Sequence, residues 1–200
     1  MNRIFEKREY NPGELGGESL ERELFGVVRD VKDIEEERKK VEERMKKSNI
    51  TEEEAAMEEV KTRQTENPTN PRSPFANYVR VKVLDLLDID SNDALKFYTA
   101  VSNTKNKTML DRDFGIDAFL ELIAQEKNLV VSIDLTNNIS KTSAKAEIVE
   151  YIPDDFPIQA RFEKNQLAGL NEAELQSFDK YTDELAEKVA DKFKKLIKLQ

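Results

Sequence analysis

Cysteine and histidine are both missing from this 200-residue chain. Without cysteine there are no disulfides, thiolate zinc sites or cysteine nucleophiles. The absence of histidine removes Ser-His-Asp and Cys-His chemistry, His-ligated zinc hydrolases and nucleases that rely on a histidine base. Any metal must therefore take oxygen ligands, which points to Mg²⁺, Mn²⁺ or Ca²⁺. Glycine is scarce, at six residues. Neither Gly-x-x-x-x-Gly-Lys-Ser/Thr nor Gly-x-Gly-x-x-Gly occurs, so phosphate-loop and dinucleotide-binding folds lack their fingerprints. No apolar run is long enough to span a bilayer, and Met1 to Lys7 holds no signal-like apolar core; the expectation is a soluble, cytoplasmic protein with no membrane partner. A basic surplus is also lacking. The net charge is −9, and residues 76–200 carry 17 Lys+Arg against 22 Asp+Glu, which argues against a protein that coats nucleic acid by bulk charge but leaves local contact open.

With 38% apolar and 36% charged residues, the chain is too hydrophilic for one tightly globular unit, and some of it is expected as solvated helix or linker. From Leu20 to Met45, the residues Leu20, Leu24, Val27, Val31, Ile34, Val41 and Met45 recur at intervals of four and three, with Arg38 in one slot. This is a heptad pattern of nearly four repeats. It fits a coiled-coil arm that self-associates or binds a protein partner through residues 20–45, and equally an amphipathic helix docked on its own domain. Thr51 and Glu54 have capping-box spacing, which predicts a second helix from Glu52 to about Arg63. Pro68, Pro71 and Pro74 then mark a stiff linker. The expected organisation is a helical arm over 1–66, a linker over 67–74 and an α+β (or α/β) domain over 75–200, with a small mixed sheet flanked by helices.

In that domain Phe75 to about Leu87 has a helical period, and Phe97 to Val101 reads as a first strand. Asp88 to Asp93 resembles a run of calcium ligands, but the central Gly and terminal Glu of an EF-hand loop are missing, and a solvated turn is the simpler reading. Residues 145–152 form another candidate strand. Asn171 with Glu174 caps a long terminal helix whose apolar face holds Leu175, Phe178, Leu185, Val189 and Leu196.

The sharpest signal is a pair of apolar-alternating segments, 115–123 and 128–136, separated by four residues. Apolar matching in a β-hairpin pairs Ile123 with Asn128 and sets Ile116, Ala118, Leu120 and Leu122 against Leu135, Ile133, Val131 and Leu129. The same register brings Asp117 opposite Asp134. Like charges so placed repel unless a cation or proton lies between them, or unless the strand ends face water or the register slips by two. A divalent-metal site is the chemical reading.

On these residues the segment from about 75 to 152 resembles, at a distance, the PD-(D/E)xK nuclease superfamily. That family has a helix followed by a small sheet, with an Asp after a turn on one strand and an Asp/Glu-x-Lys on its hairpin partner. Here Asp117 follows Gly115, and Asp134, Leu135 and Thr136 stand at the second element, with Thr136 where the family has lysine. The resemblance implies that Asp117, Asp134 and the Leu135 carbonyl hold Mg²⁺ (or Mn²⁺), and that DNA phosphodiesters are hydrolysed. It also implies that Lys141 or Lys145 supplies the ammonium that Thr136 lacks. Two departures stand out: the missing lysine, and a connection between Thr136 and Lys145 too short for the helix that commonly follows. The alternative is a non-catalytic assembly or adaptor protein that uses the heptad segment, with the α/β domain as scaffold.

Overall fold

A computed structural model of the chain describes residues 17–102, 106–124, 127–136, 145–152, 156 and 170–199, with the side chains of 17–20 and 127 excepted. Among these are six α-helices and four strands: α1 (Gly17–Phe25), α2 (Ile34–Ser48), α3 (Glu52–Arg63), α4 (Pro74–Leu86), β1 (Leu95–Thr99), α5 (Met109–Phe114), β2 (Ala118–Ala124), β3 (Lys127–Thr136), β4 (Ile148–Tyr151) and α6 (Glu172–Lys198). The strands form one mixed sheet in the order β1-β2-β3-β4, antiparallel except for the parallel β3–β4 pair. The fold is α+β with a small mixed sheet between helices.

Several local signals act as their chemistry predicts. Thr51 and Asn171 each accept from the backbone N–H of the glutamate three residues on, and both glutamates bond back, completing capping boxes at α3 and α6. Ser73 caps α4, with Pro74 at its first position. The β2–β3 register pairs Ile123 with Asn128, Leu122 with Leu129, Leu120 with Val131 and Ala118 with Ile133.

The expected heptad helix over 20–45 is corrected. Gly26, at φ +75°, ends α1, its N–H bonded to the Arg22 carbonyl at 3.0 Å, because only glycine enters the left-handed region without steric cost. The chain then runs extended. Val28 donates to the Val101 carbonyl at 2.9 Å, and Arg29 to that of Arg63 at 2.9 Å. Asp33 opens a new helix by accepting from the N–H groups of Glu35 and Glu36.

Nor, among the described residues, is there a separate arm. One face of the sheet packs against α1, α4 and α6: Leu24, Phe75, Val79, Phe178, Leu185 and Phe193 join Leu120, Val131 and Ile133. The other face is covered by α2, α3 and α5, with Val41, Ala55, Val60, Met109 and Leu110 against Tyr98 and Phe119. The Tyr98 and Phe119 rings stack at 5.0 Å between centroids. The heptad residues Leu24, Val31 and Val41 are thus spent inside the molecule, and the segment 67–74 passes over the core without dividing it. Burial also explains Glu121, the acid on the Phe119 face of β2. It is held by Lys61 from α3 and accepts from Asn128 Nδ2 at 3.1 Å and the Tyr98 hydroxyl at 3.4 Å.

Between Leu87 and Leu95 the run of aspartates forms a turn. Asp88 adopts φ +56° after α4, and a single 3₁₀ turn over Asn92–Ala94 leads into β1. The buried Arg80 guanidinium ties this turn down by donating to the Asn92 and Leu95 carbonyls at 3.0 and 3.2 Å.

Candidate acidic site

The site is assembled where α5 turns into β2. Thr108 caps α5 by accepting from the Asp111 N–H at 3.2 Å, and its own hydroxyl donates to the Ala100 carbonyl at 2.8 Å. Seven residues later Gly115, at φ +64°, closes the helix by donating to the Asp111 carbonyl at 3.0 Å. That left-handed turn sends the chain directly into Asp117. The backbone of Asp117 is stitched on both sides: its carbonyl accepts from Ala100 at 2.7 Å, and its N–H donates to the Ile133 carbonyl at 2.9 Å. The regular ladder runs only to the Ala118–Ile133 pair, and Asp117 bonds back to Ile133 rather than onward.

Asp117 and Asp134 are each only 2% exposed. Alternation puts Asp134 on the sheet face opposite Ile133 and Leu135, with Val149 of β4 as its register neighbour. One oxygen of Asp117, Oδ2, accepts from the Leu135 backbone N–H at 2.8 Å. Burial nevertheless pushes the Asp117 carboxyl well above the usual carboxylate range, aided by the charges of Glu21 and Asp111 and, to a lesser degree, Asp134. The Leu135 N–H offsets this only in part.

The acids nearest to Asp117 come from elements that sequence spacing does not connect. Glu21 on α1, Asp111 on α5 and Asp117 bring one carboxylate oxygen each within 4.8 Å of one another. Beside them lies a cation. Lys107 Nζ is 3.0 Å from Asp111 Oδ1, and Asp111, Glu21 and Asp117 all act to raise its pKa against the opposing effect of burial, which is larger than any one of them. The set is made of hard oxygen donors only, which suits Mg²⁺, Mn²⁺ or Ca²⁺. Opposite ligands of a Mg²⁺ ion sit about 4.2 Å apart and those of Ca²⁺ about 5 Å apart, as ligand distances of about 2.1 and 2.5 Å require. A ceiling of 4.8 Å admits opposite as well as adjacent ligands of Mg²⁺, and adjacent ligands of Ca²⁺.

The remaining sequence-derived candidates fall as follows. Leu135 contributes its N–H to Asp117. Thr136 is buried at the end of β3, where its carbonyl accepts from Ile152 at 2.9 Å. Lys145 Nζ donates to the Asp113 carbonyl at 3.0 Å and lies 4.6 Å from the centre of the Phe114 ring, so it is anchored on the last turn of α5. Lys141 lies outside the described residues.

Glu21, Lys107 and Asp111 were not singled out by the sequence reading. A signal existed for two of them: Thr108 with Asp111 has N-cap spacing, Gly115 stands where a short helix would stop, and Lys107 is four residues before Asp111. For Glu21 there was none, because its place depends on how α1 docks. No family model, curated protein or solved structure matches the chain.

Proposed function

We propose that the chain is a metal-dependent nuclease-like domain of PD-(D/E)xK type that hydrolyses DNA phosphodiesters. The observation that supports this reading is the meeting of Glu21, Asp111 and Asp117, with Lys107 at their edge, at the mouth of the β2–β3 hairpin. Three carboxylates against one ammonium leave a surplus of negative charge in a water-poor place, and a divalent cation would offset it. Asp117 would hold Mg²⁺ (or Mn²⁺) together with Asp111 and Glu21, and Asp134 would add to the local field. When bound, such an ion supplies a water of lowered pKa and neutralises charge on phosphate oxygens. Lys107 takes the part first sought in Lys141 or Lys145: its ammonium steadies the charge that develops on the phosphate, which Thr136 cannot do. The Leu135 N–H holds one Asp117 oxygen at 2.8 Å and so restrains the carboxylate.

The test is cleavage of supercoiled and single-stranded DNA with Mg²⁺ or Mn²⁺ by the wild type, Asp117→Asn and Lys107→Ala. Metal-dependent cleavage lost in both variants is the expected result. Cleavage equal in all three would sink the assignment.

A second reading, a non-catalytic assembly or adaptor protein, is favoured by Thr136 in the lysine position and by the backbone hydrogen bond that already occupies Asp117. Self-association or partner binding through residues 20–45 would then use the outer face of α2, since Leu24, Val31 and Val41 are committed to the interior.

A further inference from the structure

The helix that carries Asp111 is only six residues long. A helix of this length has no stability of its own, so its placement is decided by whatever holds its first turn. Besides Thr108, that hold comes from α2. Glu37, 1% exposed, extends its carboxylate across the interface, and its Oε2 accepts from the backbone N–H of Met109, the first residue of α5, at 3.0 Å. Arg112 closes the arrangement. Its Nη1 is 3.9 Å from the same Glu37 oxygen and donates to the Lys107 carbonyl at 3.2 Å, while Nε and Nη2 grip Asp113 at 2.9 and 3.1 Å. On the far side, Arg63 Nε stands 3.7 Å from Glu37 Oε1.

Glu37 and Arg112 therefore fix the backbone of residues 107 and 109, the stretch from which the Lys107 and Asp111 side chains reach toward each other. A buried carboxylate is a costly way to bond one backbone N–H, and a neutral side chain would pack against Met109 with less desolvation. What the charged group adds is an ion pair with Arg112, which itself donates to the Lys107 carbonyl. We infer that Glu37, acting with Arg112, is a positioning residue for the acidic site: it sets α5 so that Asp111 and Lys107 meet Asp117 and Glu21. The inference rests on the metal-site reading above and gives α2, outside the segment that resembles the nuclease superfamily, a part in the chemistry.

The test uses the full chain and Mn²⁺ alone as probe, with binding followed by electron paramagnetic resonance on samples whose far-ultraviolet circular dichroism matches the wild type. Glu37→Ala is expected to weaken Mn²⁺ binding about 10-fold or more, as loss of groups that orient ligands does. Glu37→Gln keeps an acceptor for the Met109 N–H and is expected to recover most of that loss. Arg112→Ala, at a partly exposed position, should weaken binding in the same direction and decides the matter if Glu37→Ala fails to fold. Val83→Ala, on the other face of the sheet, controls for a general loss of stability and should bind as the wild type does. Wild-type affinity in Glu37→Ala, or in Arg112→Ala where the former does not fold, overturns the positioning role. A wild type that binds no Mn²⁺ overturns the metal-site reading itself, and the positioning role with it.

Discussion

The Asp117 carboxylate accepts the Leu135 backbone N–H at 2.8 Å across the β2–β3 hairpin, yet its proton affinity is raised, because burial and the Glu21 and Asp111 charges outweigh that bond. The ionised form of Asp117 is thus held at a cost to the fold. Asparagine keeps an acceptor for Leu135 and carries no charge. Asp117→Asn is therefore expected to raise the melting temperature in metal-free buffer at neutral pH, by about 2–4 °C for each kcal/mol recovered in a chain of this size. The same substitution should remove any increase caused by Mg²⁺ or Mn²⁺ in the wild type. Differential scanning calorimetry with chelator and with metal measures both effects, and a fall in the metal-free melting temperature would count against the account.

The pH dependence has a definite sign. With a folded pKa above the ordinary aspartate value of 3.8, Asp117 binds more protons in the native than in the unfolded state over the window that opens at 3.8 and closes at its raised value. Its contribution to stability is complete below that window and is lost as pH rises through it. Glu37, raised mainly by burial, contributes with the same sign, starting from 4.5. Metal-free denaturation curves taken across this range should show the wild type losing stability relative to Asp117→Asn as pH increases. A difference that stays flat, or runs the other way, contradicts the assignment.

Lys107 separates binding from turnover. Its ammonium competes with a metal ion for Asp111, so Lys107→Ala should leave Mn²⁺ affinity unchanged or tighter. Metal-dependent DNA cleavage should fall by about 100-fold or more if the ammonium stabilises developing charge. Comparing titration with cleavage rate in one preparation checks this; a parallel loss of both would make Lys107 a structural residue only.

The helices α2 and α3 are part of the core, and their removal has a specific consequence. Deleting residues 1–66 would uncover Tyr98 and Phe119, so the remaining chain is expected to unfold or aggregate rather than persist as a separate domain. Phe119→Ala in the full chain tests the same contact more gently, with an expected loss of about 3–5 kcal/mol in urea denaturation. A well-folded 67–200 fragment would revive the picture of an independent arm.

Much of this fold was legible because it is written locally. The caps of α3, α4 and α6 follow from Thr51, Ser73 and Asn171, and the β2–β3 register follows from apolar matching of Leu120 with Val131 and Leu122 with Leu129. The break at Gly26 was hidden, since a seven-residue apolar period continues on both sides of it whether the intervening residues are helical or, like Val28 and Val31, buried in an extended segment. Helix α5 leaves no periodic signal, because Met109 and Leu110 are too few to show a period. Of the site, Asp117 was readable from its strand position. Its partners were not: Glu21 and Asp111 reach it through docking of separate helices, a tertiary event with no spacing rule.

In the function proposed above, Glu21, Asp111 and Asp117 hold one divalent cation. Isothermal titration of the intact chain with Mn²⁺, repeated on Asp117→Asn, measures it most directly. Binding of one ion per chain by the wild type, lost in the variant, is the predicted result; no saturable heat in the wild type, or equal binding by both, would contradict it.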